Sequence, residues 1–152
     1  MITARELNRA TLARQLLLER TPLSVTDAVR RVVALQAQQP ASPYLALWNR
    51  VAGFDPAELD DAFASHRVVR AQLMRVTMHA VHAEDHQVFR EAMDPTLRAS
   101  RLGDPRFRAS GLTVEDALDL MGGLLDFADR PRTGPECEAW LARSSTSIRA
   151  LS

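Results

Sequence analysis

The amino-acid sequence predicts a mainly α-helical fold with one small β-hairpin. Helix-capping residues precede several apolar repeats of helical period, which predicts the helices. A single stretch rich in Val, Thr and Met predicts the hairpin, and no internal repeat or low-complexity segment is visible. The 152 residues are enough for one ordinary domain or two small ones, each with a hydrophobic core.

Five capping sequences indicate where helices begin. A Ser, Thr or Asp followed three residues later by an acidic residue suits a helix N-terminus, because its side chain accepts a hydrogen bond from the first turn. This pattern occurs at Thr3, Ser24, Asp55, Thr113 and Thr133. Asp55 is followed by Pro56, and proline is favoured at the first helical position.

The predicted hairpin lies in residues 68–82, where apolar residues partly alternate with Arg, Gln and His. We place its turn near Arg75 and Val76, although neither residue is the glycine or asparagine that a tight hairpin turn prefers. A helix is expected to follow from Ala83 to Met93, because Pro95 disfavours its continuation.

Helices followed by a hairpin form the element order of a winged helix-turn-helix. We therefore expect a first winged-helix-like unit at residues 1–95 and a linker at 96–112. Residues 113–152 would begin a second winged-helix unit, which gives tandem units with the second one incomplete.

A cluster of glutamines precedes Pro40. The apolar stripe of the helix that begins at Ser24 continues through Val32 to Gln36, so Gln36 is expected to point inward. The helix should unwind at about Gln38, and in an extended segment Gln36 and Gln38 would share one side. These amides are either an ordinary polar helix end that bonds to free carbonyls or side chains directed at a ligand.

The basic residues are all arginines, 19 in number, and they are concentrated near the amino end. Residues 1–50 hold seven arginines against three acidic residues, whereas the whole chain has no net charge. An anionic partner would meet that end first, and the planar guanidinium group suits phosphate. Candidates for phosphate contacts are Arg9, Arg30 and Arg31 in the basic half, and Arg70 and Arg75 beside the hairpin turn, with ordinary surface charge as the alternative.

Several function classes lack support in the sequence. No apolar stretch approaches the ~20 residues that span a bilayer, and the lone Cys137 is typical of a reducing cytoplasm. His79 and His82 would face opposite sides of a strand, so no metal site is expected. No nucleotide-binding fingerprint is present, so we expect no cofactor.

Three stretches carry a family resemblance: "LNRATLARQLLLER", "VVALQAQQPASPYLALWNRVAGFDPAEL" and "LMRVTMHAVHAED". Together they resemble winged-helix DNA-binding proteins related to YcaQ/AlkZ-type bacterial DNA glycosylases. Gln36-Ala37-Gln38 matches the Gln-φ-Gln (or Gln-φ-Asp) motif of that family, in which φ is aliphatic. Residues 75–79 match its R-G-T-x-H segment, except that Val76 replaces the glycine.

The resemblance implies a protein that binds double-stranded DNA and excises alkylated or crosslinked purines by hydrolysis. Gln36 and Gln38 would be catalytic. Thr77 and His79 would lie on one strand face toward the DNA, with a core polar pair as the alternative. Glutamine is no general base, but an alkylated purine is already a cationic leaving group, so amides that orient water can suffice.

Two alternatives stay open: a DNA-binding or regulatory protein without chemistry, and a protein-interaction module. Because family members carry three tandem winged-helix units, this chain alone is not expected to be strongly active.

Overall fold

The computed structural model describes residues 2–111 and 113–149, with the side chains of the last helix described as far as residue 144. The chain divides into two compact units, Met1–Ser100 and Arg101–Ser152. The elements of the first unit are α1 (Ala4–Arg14), α2 (Val25–Arg31), β1 (Ala34–Gln36), α3 (Ser42–Trp48), α4 (Pro56–Ala64), β2 (Val68–Gln72), β3 (Met78–His82) and α5 (Ala83–Leu102). The second unit contains α6 (Pro105–Ser110), α7 (Val114–Phe127) and α8 (Gly134–Arg149). The predicted class, mainly α-helical with a small β-hairpin, is confirmed.

The predicted caps are confirmed at all five helix starts. Ser24 and Asp55 each accept a hydrogen bond from a backbone N–H of the first turn. Thr3, Thr113 and Thr133 form reciprocal capping boxes with the acidic residue three positions later. Each box satisfies two backbone donors that would otherwise lack a partner at the helix N-terminus.

The helix α2 ends at Arg31, well before the unwinding that the sequence predicts at about Gln38, and this corrects the expected position of Gln36. Its C-cap is Val32, and Val33 has a positive φ of 76°, which turns the chain out of the helix. Residues 34–36 then pair with β3 as a strand. Gln36 is therefore exposed, and not directed inward as the helical stripe predicted.

The sheet is antiparallel, with the strand order β1-β3-β2. Leu35 pairs with Ala80 and Gln36 with His79, while Ala71 pairs with His79 from the other side. One face of the sheet contributes Leu35, Ala80 and Val68 to the hydrophobic core. Helices α2, α3 and α4 supply most of the remainder, including the fully buried Val29, Leu47 and Leu59.

The predicted hairpin is also confirmed, and it closes without glycine. A short 3₁₀ segment at Met74–Val76 joins β2 to β3, and the Thr77 N–H donates to the Met74 carbonyl at 3.2 Å. Arg75 and Val76 adopt positive φ values of 55° and 61°. A β-branched residue in this region is strained, because its side chain crowds the neighbouring backbone.

The helix α5 continues past the expected stop. Pro95 lies inside it, and the helix ends at Leu102. Residues 96–112, expected as a linker, thus contain the end of α5 and the short helix α6.

In the second unit, α7 and α8 pack through an aromatic pair. The rings of Phe127 and Trp140 stack with centroids 5.5 Å apart, and the Arg132 guanidinium lies 4.4 Å from the Phe127 centroid. A Cβ on Gly123 would approach the Trp140 ring to 3.2 Å, so glycine permits this close approach.

Candidate functional site

Gln36 is the last residue of β1, and Gln38 follows it two positions later. The burial alternates along this segment: Leu35 and Ala37 are buried, whereas Gln36 and Gln38 are exposed. Alternation with a period of two is the signature of an extended chain. Both amides are therefore exposed and flank a buried alanine, which is the pattern expected of an extended segment in which residues i and i+2 share a side.

The Gln38 side chain replaces a backbone acceptor in the β-ladder. The Ala37 N–H donates to the Met78 carbonyl at 2.8 Å, so a regular antiparallel ladder would return a bond from the Met78 N–H to the Ala37 carbonyl. Instead, the Met78 N–H donates to Gln38 Oε1 at 3.2 Å. This bond fixes the Gln38 amide and directs its NH₂ group away from the ladder.

Arg70 lies on β2, the opposite edge strand of the sheet, and binds the same segment. Its Nε donates to the Ala37 carbonyl at 2.9 Å, and its terminal NH₂ donates to the Gln38 carbonyl at 3.3 Å. The side chain reaches across the middle strand, where its register partner is the small Ala80. The guanidinium that the sequence offered as a phosphate contact is thus bonded to the main chain of the glutamine segment.

His79 lies directly opposite Gln36 in the β1–β3 register. Its side chain is 9% exposed, and Nδ1 is 2.9 Å from the Thr77 carbonyl. Thr77 is half-buried and donates its hydroxyl to the Met74 carbonyl at 3.1 Å. The four residues that the family resemblance singled out, Gln36, Gln38, Thr77 and His79, are thus brought to one end of one strand pair, whereas their catalytic and DNA-binding roles stay predictions.

The other candidate arginines differ in how free their guanidinium groups are. Arg30 forms ion pairs with Glu84 at 2.9 Å and Asp85 at 3.0 Å, and the pKa of Arg30 is raised mainly by the charge of Asp85. Arg9 and Arg31 are exposed on α1 and α2, and Arg75 is exposed at the hairpin turn. Arg75 lies two residues before Thr77 and three before the start of β3 at Met78.

A cavity of about 200 Å³ lies behind the glutamine segment, on the side of the buried Ala37. Its walls are Pro40, Pro43, Tyr44 and Phe63, with Arg70 completing the lining. The Tyr44 hydroxyl donates to the Asp60 carboxylate, and this hydrogen bond raises the pKa of Tyr44 above its usual value of 10.0. A larger cavity of about 450 Å³, near the start of α2, includes none of the candidate residues.

Two absences hold for residues 2–111 and 113–149, the described part of the chain. Within it, no group of three or more His, Cys, Asp or Glu side chains is arranged to hold a metal ion. Also within it, no helix is both long enough and apolar enough to cross a membrane.

A family model described as DNA glycosylase AlkZ-like matches residues 29–151, which is more than half of the chain. The match includes β1 with its two glutamines, the hairpin and both helices α7 and α8. The chain therefore belongs to the AlkZ-like DNA glycosylase family, and it is a glycosylase-like protein related to DNA repair. Comparisons with the curated proteins and with the solved structures gave no match.

Sequence reasoning missed two features of this site. The strand β1 was hidden by the helical spacing of Val25, Val29 and Val32, although the adjacent β-branched pair Val32-Val33 is a strand signal. The bond from Arg70 to the carbonyls of residues 37 and 38 has no sequence signal, because 32 residues separate its partners along the chain.

Proposed function

We propose that this protein binds duplex DNA on the hairpin side of a winged helix-turn-helix fold and hydrolyses the N-glycosidic bond of alkylated purines. The observation that carries the proposal is the pair of exposed amides, Gln36 and Gln38, on one side of an extended segment. Arg70 and the Met78 N–H hold that segment at its backbone and at one side chain. The family to which the chain belongs supports the reaction class.

The winged-helix assignment rests on element order and strand order. Residues 25–82 run helix, strand, helix, helix, strand, strand, and the first strand pairs with the last. In this assignment α3 and α4 are the helix-turn-helix, and the turn between β2 and β3 is the wing. The second unit, which contains α6, α7 and α8, would then correspond to the helices of another such unit.

The two amides suit hydrolysis of a bond that is already weakened. An alkylated purine carries a positive charge and leaves as a neutral base, so the enzyme has mainly to place a water molecule and stabilise a sugar cation. Fixed carbonyl dipoles contribute to both tasks, because they need no reorganisation during the reaction. Gln36 would orient the water, and Gln38 would share that role or face the sugar.

The charges favour an approach of DNA from the side of the hairpin. The helix that would be the recognition helix, α4, carries Glu58, Asp60 and Asp61 and no basic residue. Such a surface repels phosphate, whereas contact with the DNA backbone requires cations. Arg75 at the turn supplies one at the end of the sheet that carries the glutamines.

The proposal is tested by the release of 7-methylguanine from methylated duplex DNA under single-turnover conditions. We expect Gln36→Ala to reduce the rate by about 10²-fold, the order seen when one preoriented polar group is removed. Gln39→Ala is the matched control, because Gln39 is exposed, adjacent in sequence and outside the motif. Equal rates for the two variants would remove the catalytic role, and duplex binding without any release would assign a DNA-binding function without chemistry.

A further inference from the structure

We propose that His79 Nε2 accepts the proton of the attacking water, and this inference rests on the proposed glycosidic hydrolysis. The two glutamines can orient a water molecule, but neither can take its proton. His79 is the titratable side chain that lies in register with them. The position of its imidazole supplies the proton acceptor that the two amides lack.

The register places His79 beside Gln36 at the closest kind of cross-strand spacing. Ala37 and Met78 form a hydrogen-bonded pair of the ladder, so the preceding pair, Gln36 and His79, is non-hydrogen-bonded. Cα atoms in such pairs are ~4.5 Å apart, and their side chains project from the same face of the sheet. On the far side of His79 is Ala71, whose small uncharged side chain leaves room at the imidazole.

The bond to Thr77 determines which nitrogen of His79 can accept a proton. Nδ1 is 2.9 Å from the Thr77 carbonyl oxygen, and a carbonyl can only accept a hydrogen bond. Nδ1 therefore carries the hydrogen, and in the neutral imidazole Nε2 presents a lone pair. In histidines that act as bases, a hydrogen bond donated by one ring nitrogen likewise leaves the other nitrogen to accept the proton.

Solvent reaches Nε2 although the residue as a whole is buried. Among the described residues, no group bonds to Nε2, and no sealed side-chain nitrogen or oxygen is left without a partner. An unpartnered Nε2 must therefore be accessible to water. A water molecule at this position would lie between the imidazole and the exposed Gln36 amide.

The proposed step balances without any additional reactant. The water oxygen forms a bond to C1′ of the deoxyribose as the bond from C1′ to the purine nitrogen breaks. The electron pair of that bond leaves with the purine, whose positive charge is thereby neutralised. The water proton moves to His79 Nε2, and the resulting imidazolium keeps its Nδ1–H bond to the Thr77 carbonyl.

The test uses a partial replacement of the imidazole to separate proton acceptance by His79 from a structural role. His79→Asn keeps a side-chain NH donor near the Nδ1 position and removes the acceptor at Nε2. We expect the single-turnover rate of 7-methylguanine release to fall by about 10² to 10⁴-fold at saturating protein, where a change in duplex affinity does not alter the rate. Added imidazole should restore part of the rate to His79→Ala, which a purely structural histidine would not permit.

The outcomes distinguish this inference from the proposed function. If the unchanged protein releases the base and His79→Asn does so equally fast, His79 is not the acceptor and the proposed hydrolysis still stands. If the unchanged protein releases no base, both fall. Nitrogen-15 NMR of the His79 ring gives a readout that does not depend on activity: a hydrogen on Nδ1 supports the inference, and a neutral ring with its hydrogen on Nε2 overturns it.

Discussion

At the scale of single residues, Arg70 illustrates how a cation beside a hairpin can serve the backbone. Its guanidinium donates to the carbonyls of Ala37 and Gln38, which follow β1, a strand that is not the immediate neighbour of β2. Hydrogen bonds from a charged donor are stronger than those between neutral groups. We infer that Arg70 contributes to the stability and position of the glutamine segment more than to phosphate binding.

Replacement of Arg70 by Met tests this role. The variant keeps the length of the side chain but removes both bonds, so the free energy of unfolding should fall by about 1–2 kcal/mol, measured by urea denaturation. The salt dependence of duplex binding should stay unchanged. Arg75→Met is the matched control: its unfolding should be unaffected, while the slope of log K against log salt should decrease by about 1. If Arg70→Met instead lowered the salt slope and left the free energy of unfolding unchanged, Arg70 would be the phosphate contact.

Tyr44 offers a residue-level test of the electrostatics behind the glutamine segment. Its hydrogen bond to Asp60 raises the pKa of Tyr44, and it is the single tyrosine of the sequence. A raised folded-state pKa contributes stability below the unfolded value of about 10, and this contribution is lost as the pH rises through the folded value. Ultraviolet titration should place the phenol above 10, and Asp60→Ala should lower its midpoint. Identical midpoints would show that the bond does not persist in solution.

At the scale of elements, the caps were predictable and β1 was not. Thr3, Ser24 and Asp55 act on backbone groups two or three residues away, so their effect can be read from the local sequence. The strand of only three residues forms because β3 pairs with it from more than 40 positions away. Its pairing overrides the helical spacing that ran into Gln36, and such a tertiary effect is invisible in a local pattern.

The hairpin turn leads to a prediction about stability. Val76 has a φ of 61°, a conformation that costs an L-residue roughly 1–2 kcal/mol. Val76→Gly should therefore increase the free energy of unfolding by up to about 1 kcal/mol, after allowance for the greater flexibility of glycine in the unfolded chain. Val69→Gly, in the regular strand β2, should instead be destabilising. A loss of stability in Val76→Gly would mean that the contacts of its half-buried side chain outweigh the strain.

At the scale of the whole molecule, the acidic surface of α4 makes a prediction about the direction from which DNA approaches. Neutralising Glu58 and Asp61 together, as Glu58→Gln and Asp61→Asn, removes two negative charges from exposed positions. If duplex DNA lies on the hairpin side, its affinity should change little or rise slightly, because only long-range repulsion is relieved. A loss of affinity in fluorescence anisotropy would place α4 in the contact surface.

The absence of lysine from these 152 residues bears on the product of the proposed reaction. A glycosylase that also cuts the strand forms an imine between an amine and C1′ of the sugar. Amides and imidazole cannot form it, so the product should be an intact abasic site. Treatment with borohydride during turnover should trap no covalent adduct beyond what an α-amino group can give. An adduct mapped to any other residue would contradict hydrolysis by water.

The bond between the Met78 N–H and Gln38 Oε1 also has a consequence for which side chains can be interchanged at position 38. What the ladder requires there is an oxygen that can accept, and a carboxylate meets that requirement as well as an amide does. Gln38→Glu keeps an acceptor oxygen at the same distance along the side chain and should preserve the bond from the Met78 N–H. A side chain of equal volume without such an oxygen would leave the Met78 N–H without this acceptor, however well it filled the space.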